Sequence, residues 1–219
     1  MVIMGMSLLE SIPDIWIMIL MHLDTKDIKL IGKDNVPEYI WNRKEHATIE
    51  EAASNGNLIG VKWMIEQRNP LQKDIDTALC RSAMNRHLEV VKYLVEKDVD
   101  VHADDNCALR WSAALGHLEV VKYLVEHDAN VHADNNFALR WSAALGHLDV
   151  VKFLVEKGAD IHNSNESTLR WSAALGHLDV VKFLVEKGAN IHVGDKIAIF
   201  YSAIYRQVEV FKYLNSLKF

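Results

Sequence analysis

Apolar residues recur along most of this chain in short bursts separated by polar turns. In the stretch from Leu148 to Glu156, Leu148, Val151, Leu154 and Val155 fall at i, i+3, i+6 and i+7. That spacing predicts a helix with one buried stripe. Asp149 in its first turn and Lys157 at its end both suit the helix dipole, and Gly158 closes it. Upstream, Leu139 to Leu145 predicts a short alanine-rich helix ended by Gly146. A loop of about ten residues, Ala159 to Thr168, leads to the next such pair.

The pattern repeats. Residues 139–159 and 169–189 are identical, and the period is 30. Stepping by that period predicts six units, starting near residues 49, 79, 109, 139, 169 and 199. A period in this range predicts a stacked array of helix–turn–helix units, an all-α solenoid over residues 46–219. Small residues such as Ala143 let the paired helices approach closely.

The second half of each unit carries a specific resemblance. Gly146–Asp160 and Gly176–Asn190 fit G-H-L-[ED]-V-V-K-x-L-[LV]-E-x-G-A-[DN], and Gly116–Asn130 fits it with Asp128 in place of the later glycine. This resembles the ankyrin repeat. The family's opening T-P-L-H is altered to Cys107-Ala108-Leu109-Arg110, Phe137-Ala138-Leu139-Arg140 and Ser167-Thr168-Leu169-Arg170. The usual ankyrin repeat has about 33 residues. The three missing here fall where the family forms a protruding hairpin, so the resemblance implies shortened loops with little or no strand. The A-L-R-W and G-A-N-I-H phrases are similar to the large ankyrin families of giant viruses of amoebae.

Residues 7–45 lie outside the array. Ser11, Pro13 and Asp14 open a predicted helix, and Asp24 to Asp27 reads as a second start. Ile12, Pro13, Ile19, Leu20, Leu23 and Ile28 are similar to the opening of an F-box. That resemblance implies binding of the Skp adaptor of a cullin–RING ubiquitin ligase. The spacing is one residue short, and the later element of that motif has no counterpart unless Trp41 serves. A simpler reading makes the segment a cap over the apolar flank of the first unit.

Composition narrows the function. The formal charge is -6, and residues 1–48 and 49–219 are each acidic on balance, so neither suits a phosphate backbone. Nucleic acid is not an expected partner. Glu10, Pro13 and Asp14 interrupt the apolar N-terminus, which fits neither a membrane span nor a signal peptide. The two cysteines, Cys80 and Cys107, form no dense framework, so a disulfide scaffold is not expected and a reducing compartment is the simpler reading. The expected location is the cytoplasm, that of the host if the source is viral.

Eight of the eleven histidines are periodic, at 87, 117, 147 and 177 and at 102, 132, 162 and 192. Each set forms a row with about 8–10 Å between members, the helix packing distance. Such a row does not close around one ion, so structural hydrogen bonding is expected, with no metal and no cofactor. Arg110, Arg140 and Arg170 form another row, read either as an anion ladder or as links to loop carbonyls and to Asp104 and Asp134. Trp111, Trp141 and Trp171 are candidate partner-binding residues, read either as a recognition stripe or, at a position usually packed between helices, as core with one ring edge at the inner surface. Leu115, Leu145 and Leu175, with Ala114, Ala144 and Ala174, form either an exposed strip on the concave face or a strip covered by the loops. No catalytic motif is visible, and a residue copied in every unit does repeat work. The expected protein is a non-enzymatic, monomeric interaction module that holds a protein target on its concave surface. It is either an F-box-type adaptor or a scaffold or decoy without a ligase link.

Overall fold

A computed structural model describes residues 48–217. Twelve helices follow one another there as six antiparallel pairs, with no strand among the described residues. They are α1 (Ile49–Ser54) with α2 (Leu58–Arg68), α3 (Gln72–Met84) with α4 (Leu88–Val95), and α5 (Ala103–Ala114) with α6 (Leu118–Glu126). The last three pairs are α7 (Ala133–Ala144) with α8 (Leu148–Glu156), α9 (Asn163–Leu175) with α10 (Leu178–Glu186), and α11 (Val193–Ile204) with α12 (Val208–Ser216). The first helix of each pair packs most extensively on the first helix of the next pair, and the second helices touch more lightly.

One continuous core runs the length of the stack. Its inner row is Leu79, Leu109, Leu139 and Leu169, all fully buried. Its outer row repeats the triplet Val150, Val151 and Leu154 in α4, α6, α8 and α10. Leu148 and Val155 are only partly buried, while Val150 is in the core. The true stripe therefore sits about one residue round from the i, i+3, i+6, i+7 reading, because the helix meets neighbours on two sides. Ser82, Ser112, Ser142, Ser172 and Ser202 are buried without cost, since each hydroxyl donates to the carbonyl three residues back.

The loops differ from the expected ten-residue connection. The first helices begin early, at Ala103, Ala133 and Asn163, and then pass through three consecutive left-handed residues. These are Asp104–Asn106, Asp134–Asn136 and Ser164–Glu166, with φ between 47° and 59°. Asn and Asp tolerate that conformation better than other side chains, which suits them to all of the first six places. This tight left-handed turn stands where a longer repeat would place a hairpin.

Cys80 of α3 and Cys107 of α5 form a single disulfide, which the reading of a reducing compartment did not anticipate. A spacing of 27 is one period less one helical turn, which places the two Cα atoms 5.5 Å apart on adjacent units. The pairing removes the cysteine argument for a reducing compartment. Among the described residues, no helix is long and apolar enough to cross a membrane. Ile12, Pro13, Ile19, Leu20, Leu23 and Ile28 lie outside the described residues.

Candidate binding surface

Helical geometry determines which face of each first helix is free. In α7, Leu139 and Ala143 point into the core one turn apart, and Ser142 lies beside Leu139 on the same side. Trp141 and Leu145 stand at i and i+4 on the opposite side. The same holds in α5 and α9. Trp111, Trp141 and Trp171 are accordingly 40–45% exposed, and Leu115, Leu145 and Leu175 are 43–44% exposed. The tryptophans are thus a correction to the core reading: a step of two residues from the buried leucine turns them through about 200°.

Ala114, Ala144 and Ala174 are not part of the exposed strip. They are at most 4% exposed, because the first helix of the next unit packs over them. Ile204, at the equivalent position of the last described unit, is 55% exposed with no described helix beyond it. The strip offered to a partner is therefore the tryptophan–leucine row, with the alanines serving close helix approach.

Aromatic contacts tie part of this row together. The Phe137 ring lies 5.8 Å from Trp111 and 5.7 Å from Trp141, centroid to centroid. Arg110 sits over the same ring at 5.2 Å, and its Nη1 donates to Asp134 Oδ2 at 2.7 Å. Its Nη2 donates to the Asp104 carbonyl at 3.0 Å. Arg110 therefore holds loops in place, as the second of the two sequence readings has it. Arg140 keeps only a backbone bond, from Nη2 to the Asp134 carbonyl at 3.2 Å. A cleft of about 200 Å³ opens between Trp141 and Trp171, lined by Arg140, Trp141, Ala144, Trp171 and Leu175. A larger cleft of about 500 Å³ flanks the disulfide beside Thr77, Arg81 and Trp111.

The histidine rows serve the stack. His87 Nε2 lies 2.9 Å from the Ser54 carbonyl and His117 Nε2 lies 2.9 Å from that of Met84, each reaching into the preceding unit. Burial holds the His117 imidazole below its usual pKa, and Arg86 and His147 add to this, against the pull of the Met84 carbonyl. In the loops, His102 Nδ1 meets Asn106 Oδ1 at 3.3 Å and His132 Nδ1 meets Asn136 Oδ1 at 3.2 Å. The same two oxygens accept from the backbone N–H of Asn130 and Asp160 in the following unit, at 2.7 and 3.0 Å. In the third loop the partner is buried Glu166, whose Oε1 lies 2.6 Å from His162 Nδ1. Sequence reasoning missed these asparagines; the signal available was an Asn at one fixed place in two loops, four residues after a histidine. No group of three or more His, Cys, Asp or Glu among the described residues stands close enough to hold a metal.

The fold and surface define a helical repeat solenoid that presents an exposed apolar strip. The family model described as Ankyrin repeats (3 copies) matches residues 49–135 and 128–195. The chain belongs to the ankyrin-repeat family, whose arrays are protein–protein interaction modules. No curated protein matches it at a significant level.

Proposed function

We propose that this chain is a non-enzymatic binding module that holds a protein partner along Trp111, Leu115, Trp141, Leu145, Trp171 and Leu175. One observation carries the reading: six large apolar side chains stand exposed in register on one face, where the fold needs none of them. Exposed apolar strips of this kind mark contact sites. The test starts from peptides selected on the immobilised full chain from a phage-displayed library of random dodecapeptides. Replacing Leu115, Leu145 and Leu175 together by glutamate should leave the helical circular dichroism unchanged, since surface changes are usually within about 0.5 kcal/mol each. Peptide binding should be lost, because an interface centre tolerates charge poorly. A folded triple variant that binds as well as the parent would overturn the reading.

A finer proposal makes the protein an adaptor. Its support is the F-box-like run of Ile12, Pro13, Ile19, Leu20, Leu23 and Ile28 and the similarity of the repeats to those of giant viruses. In that reading residues 7–45 hold the Skp adaptor while the array holds the target, in host cytoplasm and as a monomer. Purified Skp should bind the full chain and not a variant lacking residues 1–48. A scaffold or decoy without a ligase link binds Skp in neither form.

A further inference from the structure

Two departures from the repeat coincide at the cleft between Trp141 and Trp171. In the preceding interval Phe137 bridges Trp111 and Trp141, and Arg110 is satisfied twice, by that ring and by the Asp134 carboxylate. One period later, Phe137 is replaced by Ser167 and Asp134 by Ser164. The backbone is the same: Ser164 has φ 50°, against 47° at Asp134. The interval has therefore lost its aromatic plug and its anion while keeping both tryptophans and the guanidinium. Among the described residues Arg140 has no ion pair and no ring beneath it, only its bond to the Asp134 carbonyl. Gly194 stands one unit further along at the register of Asp134, and Arg170 likewise has no ion pair among the described residues.

We propose that this cleft is the specificity pocket of the strip, and that it takes a peptide presenting an aromatic side chain beside a carboxylate. The partner's ring would fill the place of Phe137 between Trp141 and Trp171, and its carboxylate would meet Arg140 as Asp134 meets Arg110. At about 200 Å³ the cleft is smaller than a drug-sized pocket and suits a single side chain. A planar guanidinium favours both partners at once, stacking on an aromatic face and gripping a carboxylate through its edge. A basic or wholly apolar segment would leave Arg140 unanswered, which selects against it. The inference rests on the strip being the binding face.

The same phage-selected peptides test it, because the repeat supplies its own filled version of the pocket. Ser167→Phe and Ser164→Asp each copy the preceding unit, so both variants should fold and melt no lower than the parent. Selected peptides should carry an aromatic residue within a few positions of Asp or Glu. By fluorescence polarisation, a synthetic peptide of that kind should bind Ser167→Phe at least about tenfold more weakly. Ser164→Asp and Arg140→Gln should each weaken it in the same direction, and raised salt should weaken the parent complex more than the Arg140→Gln complex. Peptides that bind Ser167→Phe and Arg140→Gln as well as the parent, yet fail on the triple leucine variant, would overturn the pocket and leave the strip standing. Peptides indifferent to the leucine variant as well, or no enrichment at all, would sink both.

Discussion

Asn136 performs three tasks with one side chain. It tolerates a left-handed backbone, accepts from the His132 ring and accepts from the Asp160 N–H of the next unit. Asn136→Ala leaves two donors without an acceptor near a buried site and should cost about 1–3 kcal/mol in urea unfolding. Asn136→Asp keeps the acceptor and should cost less. His117 gives a pH test. Its pKa is depressed in the folded state, so the unfolded chain binds the extra proton first. The stability it contributes is therefore present above its ordinary pKa of 6.5 and is lost as pH falls from there towards the lower folded value. His117→Gln should flatten part of the melting-temperature decline below that pH; an unchanged slope would contradict the burial argument. At this scale, the structural role of the histidines followed from their rows. Their acceptors did not, because the carbonyl for His117 lies 33 residues back, in another unit.

Helix ends separate the legible from the illegible. The span Leu148–Glu156 and its closure at Gly158 follow from periodicity and from the glycine. The left-handed turn at 134–136 does not, because runs of that conformation are rare outside glycine. Two glycines in the same unit make different demands. Gly158 has φ 90° with open space around it, whereas a Cβ on Gly146, at φ 80°, would meet the His177 ring. Gly158→Ala should cost roughly 1 kcal/mol from backbone alone, and Gly146→Ala should cost more by whatever the ring must move. The converse change is available at Asp128, which holds φ 69° where later units have glycine. Asp128→Gly should stabilise by up to about 1 kcal/mol in thermal melts.

Over the whole molecule, the stack of helix–turn–helix units was readable because near-identical phrases fell at a fixed interval. What escaped was everything built from exceptions. The Trp141–Trp171 cleft comes from two serines that break the pattern, and the disulfide from two cysteines that belong to no row. In a stack held by neighbour contacts, that bond fastens the second unit to the third. Closing a loop of 27 residues should stabilise by about 3–4 kcal/mol in the chain-entropy account. Reductant should lower the melting temperature of the parent protein and leave a Cys80→Ser, Cys107→Ser variant unmoved.

Drawn out mechanically between its two ends, a stack without cross-links gives up its length one unit after another. Here the stretch between Cys80 and Cys107 is short-circuited by the sulfur bridge. A force applied at the termini passes through the bridge, and the enclosed 27-residue span bears no load. Fully extended, that span is worth about 90 Å of contour. The protein is thus a spring with a concealed reserve: its travel under tension is set by the redox state of its surroundings, and reduction in mid-pull releases the remainder in one step.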